Sequence, residues 1–318
     1  MMIDVFVYTG GEQEAPRMVR HIIIDRSVKI IPARAFQYRF QLLSVEMHED
    51  VEKIEEFGFD NCHSLTGIKL LGVREVEQFA FFSCDRLCEV EFGDKLEIIG
   101  RNAFSGCPIR SMKLPSIRTI EHGAFNNCLQ LTEVEFGSYL ERIVYDSFIH
   151  CHNLRRIAIP LKDSIFSLGT TTGQQQYNHF NHCDNLITVD LVGGVNKTIS
   201  SLLLQSWKDD LNAEIGFVNE LLPNTHVSEK TDLIRQSIPF VIQRTEHYKA
   251  EHNKLLKEHM TLLELGIWKA KLDEKEEEFL EGRAKRAEVD VESMRKEKRI
   301  KSGASIVIKN FLPFLKLG

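Results

Sequence analysis

The stretch VEQFAFFSCDRLCEVEF, residues 76–92, constrains this chain more than any other, because it returns with drift from residue 31 to residue 191. Each copy sets a small residue and a phenylalanine ahead of a cysteine, a leucine, a valine-type residue and a last hydrophobe. The phenylalanines mark the period: Phe36, Phe59, Phe81, Phe104, Phe125, Phe148 and Phe180, in steps of 23, 22, 23, 21, 23 and 32 residues. Self-similarity on this scale is the signature of a solenoid, since one such unit cannot bury its apolar face alone and copies must stack. The second half of each unit alternates with period two, the pattern of a strand with one face buried. It stands as Leu42-Val45-Met47, Leu65-Ile68-Leu70, Leu87-Val90-Phe92, Ile109-Met112-Leu114, Leu131-Val134-Phe136, Leu154-Ile157-Ile159 and Leu186-Val189-Leu191. The first half is too short for a full helix and reads as a turn. One strand per coil, stacked in parallel, gives an α/β repeat solenoid.

Six of the seven cysteines (Cys62, Cys84, Cys107, Cys128, Cys151 and Cys183) share one repeat position, and Cys88 is the seventh. A disulfide framework does not place one cysteine per repeat at a single register, whereas a buried thiol acting as a small hydrophobe does. Arg39 fills that slot in the first repeat, as suits a terminal coil with one open side. Residues 4–7 and 20–24 read as short strands that cap this end, which a solenoid requires.

The Ala-Phe-x-x-Cys-x-x-Leu element, seen at Ala80-Phe81-x-x-Cys84-x-x-Leu87 and Ala124-Phe125-x-x-Cys128-x-x-Leu131, resembles the BspA-like class of leucine-rich repeats over about residues 20–195. The resemblance implies a curved solenoid used for protein recognition. Many members of that class are secreted or surface-attached. Here the N-terminus lacks the basic region and long apolar core of a signal peptide, so an intracellular, cytoplasmic location is expected. No apolar run reaches the length of a membrane span. Residues 161–178 lengthen the last repeat and are rich in Thr, Gly and Gln. They read as a polar surface loop, either merely tolerated or used in recognition.

The period stops after Gly193-Gly194. Ile199, Leu203, Trp207, Leu211, Ile215, Val218 and Leu222 then form a helical stripe ended by Pro223-Asn224. A second helix is expected from near Pro239, a residue tolerated in a first turn. It carries Val241, Tyr248, Leu255 and Leu262 at seven-residue steps, the spacing of a coiled-coil seam. From residue 273 to 301, 19 of 29 residues are charged, acidic first and basic last, as the dipole of one solvated helix prefers. The segments LLELGIWKAKLDE (262–274) and SGASIVIKNFLPFL (302–315) resemble the C-terminal helical extension of a group of algal leucine-rich repeat proteins. The expected division is a solenoid at 1–195 and a helical region at 196–318, with helices at about 198–222, 239–272 and 273–301.

The net charge of −6 argues against a dedicated nucleic-acid binder. On each strand the residues flanking the valine-type position point outward together. One column is Glu46, Lys69, Glu91, Lys113, Glu135, Ala158 and Asp190; the other is Ser44, Gly67, Glu89, Ser111, Glu133, Arg156 and Thr188. Their charges largely alternate. They read either as a strip for a protein partner with basic residues or as a self-neutralising solvated face. His150, His152, His179 and His182 cluster in sequence, and the alternative to an interaction module is a metal-dependent enzyme built on them. His150 and His182 both precede a ladder cysteine, and such cysteines face the core, away from those histidines. No phosphate-cradling glycine loop, nucleophile elbow or His-Glu-x-x-His motif is present. The reading is therefore a non-catalytic interaction module with no cofactor, with self-association through residues 239–301 as a further role.

Overall fold

The computed structural model describes residues 4–11, 13–163, 165–166, 178–192 and 204–284. Numbered in chain order, the longer strands are β1 (Val5–Tyr8), β2 (His21–Ile24), β4 (Ser44–Glu46), β6 (Gly67–Leu70), β8 (Glu89–Phe92), β10 (Ser111–Leu114), β12 (Glu133–Phe136), β14 (Arg156–Pro160) and β15 (Thr188–Val192). Between them lie two-residue strands: β3 (Ile30–Ile31), β5 (Lys53–Ile54), β7 (Glu75–Val76), β9 (Ile98–Ile99), β11 (Thr119–Ile120) and β13 (Arg142–Ile143). All the pairings among the described strands are parallel, one coil to the next, as the repeat requires. The long strands form two sheets, β1-β2-β4-β6-β8 and β10-β12-β14-β15, and the short ones form a single sheet running from β3 to β13.

The break between β8 and β10 has a local cause. The fourth repeat reads Cys107-Pro108-Ile109, one residue shorter between cysteine and strand than Cys84-Asp85-Arg86-Leu87. Val90 and Phe92 on the strand beside the break are only half-buried, while Val134 and Phe136 two coils on are buried.

Ring stacking fills the core. Successive phenylalanines from Phe36 to Phe180 lie 5.0–6.0 Å apart, centroid to centroid, with their planes within 30°. Tyr8 closes the N-terminal end edge-on to Phe36 at 5.1 Å. The backbone locks the same register. Phe59 N–H donates to Ala80 O at 2.7 Å, Phe81 to Ala103 at 2.7 Å, Phe104 to Ala124 at 2.9 Å and Phe125 to Ser147 at 2.9 Å. That close approach explains the small residue before each phenylalanine. Each ladder thiol then donates back to the phenylalanine carbonyl of the coil before, as Cys84 Sγ does to Phe59 O at 3.1 Å and Cys107 Sγ to Phe81 O at 3.1 Å. All seven cysteines are free, and burial pushes the Cys84, Cys107, Cys151 and Cys183 thiols up. From Phe36 to Phe148 the turn around each phenylalanine takes a left-handed residue two places before it and another two places after, while Phe180 has only the second. Phe57, Phe79, Asn102 and Gly123 supply one column, and Asn61, Ser83, Gly106, Asn127, His150 and His182 the other.

Helix α1 spans Gln205–Leu221 and buries Leu211 and Val218 of the expected stripe; Ile199 and Leu203 lie outside the described residues. The next helix differs from expectation at both ends. Helix α2 spans Lys230–Ala284, with Pro239 inside it and no break at residue 273. An interior proline costs about 3 kcal/mol. Burial of Ile234, Ile238 and Val241 offsets that cost, and the true start is set by the docking of Lys230 and Thr231 on the last coil. The seven-residue seam is buried at Val241 and Tyr248, but Leu262 is 55% exposed. Compactness groups Met1–Glu246 as one unit and His247–Gly318 as another.

The inserted segment is not wholly a surface loop. Ile165 accepts from Ile143 N–H at 2.7 Å, Phe166 bridges to Ile143, and both side chains are buried. Its start thus continues the short-strand sheet by one coil, and residues 167–177 lie outside the described ones.

Truncating Phe36, Phe104 or Phe125 to alanine should each cost about 3–5 kcal/mol, since Tyr8 makes Phe36 as enclosed as the central rings. Urea titrations of the three variants check this; a Phe36→Ala loss well below the others would mean the cap does not close the stack.

Candidate functional site

The outward columns fall where the alternation places them. Register pairs Ser44 with Gly67, Gly67 with Glu89 and Lys69 with Glu91 on one sheet, and Lys113 with Glu135, Glu133 with Arg156 and Ala158 with Asp190 on the other. Most charges on this face are spoken for. Lys69 Nζ lies 2.9 Å from Glu91, Lys113 Nζ 3.1 Å from Glu135, and Arg156 lies 2.5 Å from Asp190 and 3.9 Å from Glu133. Exposed pairs of this kind contribute about 0–1 kcal/mol each, so they neutralise the face more than they stabilise it. Ala158, expected outward, is buried.

Glu46 and Glu89 are the exceptions. Among the described residues, neither has a lysine, arginine or histidine within ion-pair range. Gly67 lies in register between Ser44 and Glu89, with Glu46 two residues further along β4, and its missing side chain leaves space that the Glu89 carboxylate leans over. Ser44, Glu46, Gly67, Lys69, Glu89 and Glu91 line an open hollow of about 560 Å³ on this part of the strand face. The sequence reading marked this strip without singling out the hollow. The signal available was Gly67, the one residue of its column without a side chain.

The histidines separate into two environments. His150 and His182 stack at 4.5 Å with planes 11° apart, and His152 lies 5.9 and 6.2 Å from them, its Nδ1 2.7 Å from Asp184. Burial, then the His182 and His152 charges, holds His150 below the usual imidazole range. His179 is not with them. It fills the small-residue slot of the last coil, accepts from Phe148 N–H through its carbonyl, and points its Nε2 at Ile143 O, 3.1 Å away in the core. Among the described residues no group of three or more His, Cys, Asp or Glu side chains is placed to hold a metal ion, so the four histidines do not make the metal centre considered from sequence. The signal available in sequence was its register: one place before Phe180 is the small-residue slot of the coil, which faces the core.

The C-terminal end of the stack is closed by polar groups that replace a missing coil. Thr231 Oγ1 accepts from Phe180 N–H at 3.2 Å and Asn219 Oδ1 from Val189 N–H at 2.8 Å. The buried Lys230 ammonium donates to three carbonyls, Leu186 and Asp184 at 2.8 Å and Cys183 at 3.4 Å.

A parallel-strand coil with a phenylalanine spine and one thiol per turn defines a leucine-rich repeat solenoid. The chain belongs to the BspA type leucine rich repeat family, which matches it in six copies over residues 17–116, 70–186 and 116–208. Solved structures similar to it include a leucine-rich repeat protein of T. pallidum, at 23% identity and a TM-score of 0.45, covering 58% of this chain and 84% of that one. Another, from Bacteroides ovatus, is 21% identical with a TM-score of 0.40, covering 56% of this chain and 54% of its own. A leucine rich cell surface protein from Faecalibacterium prausnitzii is 20% identical with a TM-score of 0.34, covering 57% and 62%. No curated protein matches significantly. Leucine-rich repeat proteins generally mediate protein–protein interaction or surface binding and are usually non-enzymatic. Among the described residues no helix is long and apolar enough to cross a membrane.

Burial without a second hydrogen bond holds the His179 imidazole down at about 4. The unfolded chain, near 6.5, then binds the extra proton between those values, so stability falls as pH drops from 6.5 to 4 and levels off below. The full effect is about 3 kcal/mol. Denaturant melts across this window should show that loss in the wild type and not in His179→Ala, which restores the residue type of the central coils. Equal acid sensitivity would place the titrating group elsewhere.

Proposed function

We propose that this protein is a non-catalytic interaction module whose strand face binds a basic segment of a partner protein. Residues 1–195 would recognise the partner, and residues 196–318 would cap the stack and serve assembly. The observation that carries the reading is the pair of uncommitted carboxylates, Glu46 and Glu89, lining the hollow at Gly67. On the same face Lys69 already pairs with Glu91 at the edge of the hollow, and beyond it Lys113 pairs with Glu135 and Arg156 with Glu133 and Asp190. An incoming lysine or arginine gains most where no such partner is present. Seven free cysteines favour a reducing, intracellular compartment over the surface display of the F. prausnitzii protein. A fluorescent peptide of about ten residues alternating lysine and serine, extended to span neighbouring strands, probes the strip directly. Glu46→Gln/Glu89→Gln should weaken its binding roughly tenfold, while Glu133→Gln/Glu135→Gln should change it little. Equal weakening by both pairs, or binding as tight by a glutamate counterpart, would sink the proposal.

A second role, self-association, is favoured by the C-terminal half of α2. Met260, Leu262, Leu265, Trp268 and Leu272 are each more than half exposed, an apolar display that single-chain surfaces rarely carry. Sedimentation of the full chain should find an oligomer that Leu265→Glu/Trp268→Glu converts to a monomer; a monomeric wild type across the micromolar range excludes this role.

A further inference from the structure

Arg39 occupies the cysteine register of the first coil and does the same backbone work as a thiol. Its Nε donates to Ala15 O at 2.9 Å, the position from which later coils present a phenylalanine carbonyl to Cys62, Cys84 or Cys107. One thiol donor satisfies that carbonyl everywhere else in the ladder. A guanidinium carries five N–H donors and a permanent charge. Its Nη1 takes Gln37 O at 2.7 Å, which leaves most of the fork without a protein acceptor. The contrast with the other end of the stack is informative, because Lys230 turns all three of its ammonium protons on carbonyls. The charge on Arg39 is surplus to the needs of the cap, and burial works against it.

The surplus faces an open, polar hollow of about 570 Å³ at the N-terminal end, lined also by Arg17, Arg34, Glu14 and Gly11. Arg34 is already held, 3.4 Å from Glu56 and over the Phe57 ring at 5.0 Å. Among the described residues neither Arg17 nor Arg39 has a carboxylate within ion-pair range, and the Glu14 charge acts on Arg39 less strongly than burial does. Two arginines with no carboxylate in ion-pair range among the described residues, one pinned by two backbone carbonyls so that its fork is held in place, fit the oxygens of a phosphate or carboxylate bidentately. The volume exceeds that of a bare ion and falls in the range of small-molecule sites. We propose that this hollow binds a small molecule through an oxyanion group, with Arg39 as the fixed anchor and Arg17 as the exposed second contact. It shares no lining residue with the hollow at Gly67 and stands independently of the strand-face reading.

Calorimetric titration of the full chain with O-phosphoserine, aspartate and sodium chloride at matched ionic strength tests this, with thermal melts alongside. Phosphoserine, aspartate or both should bind saturably and raise the melting midpoint, and whichever binds more tightly identifies the oxyanion. Arg17→Gln, exposed and outside the core, should weaken binding roughly tenfold while melting like the wild type without ligand. Arg39→Gln should abolish binding, and Arg110→Gln, on another coil, should leave it intact. No response beyond that of chloride, or undiminished affinity in Arg17→Gln, overturns the proposal.

Discussion

The peptide group of each spine phenylalanine is the joint on which the stack depends. Its N–H reaches forward to the small residue of the next coil, and its carbonyl receives that coil's thiol, as Phe59 does with Ala80 and Cys84. The ring on the same residue stacks on its neighbours at 5.2 Å or less. Backbone pairing, thiol donation and apolar burial therefore enforce one register at one residue. A buried backbone group left without a partner costs about 1–3 kcal/mol, so the arrangement tolerates little slippage. The thiol suits its place because it donates weakly, packs as a hydrophobe and stays protonated.

Such a joint is satisfied only between coils, which makes the two ends the expensive places. They are solved with different chemistry. At the N-terminal end a parallel strand pair, β1 and β2, supplies the missing strand, and Tyr8 supplies the missing ring. At the C-terminal end, among the described residues, side chains from the helices imitate a further coil: Thr231 for the small residue's carbonyl, Asn219 for the strand, Lys230 for the donors. This also explains where α2 begins. Residues 230–231 must stand at the last coil, so the helix starts there and absorbs Pro239 in its interior.

How much of this the sequence disclosed follows the physics of each part. The coils were legible because burial repeats with the period, down to the strand residues and the thiol slot. The start of α2 was not, since local propensity favours Pro239 as a first-turn residue and only tertiary contacts with Phe180 and Leu186 move the boundary. The inserted segment misled through composition: its polar average hid Ile165 and Phe166, which pack in the core. On the candidate face the strip itself was readable by alternation. Which acids lack a partner was not, because Lys69 stands level with both Glu46 and Glu91 and only the structure shows it turned to Glu91. His179 belongs with the unread parts: its place before Phe180 is a core slot, but the neighbouring histidines suggest a shared site instead.

The missing residue of the shortened fourth coil interrupts the wall of long strands between β8 and β10, while the short strands run unbroken past it from β3 to β13. Phe81 still stacks on Phe104, and the Cys107 thiol still donates to Phe81 O, so the core passes the gap intact. The outer wall does not: one panel carries Glu46 and Glu89, the other Lys113 to Asp190, and a partner long enough to lie across both would cross a seam where no strand offers it a neighbour in register.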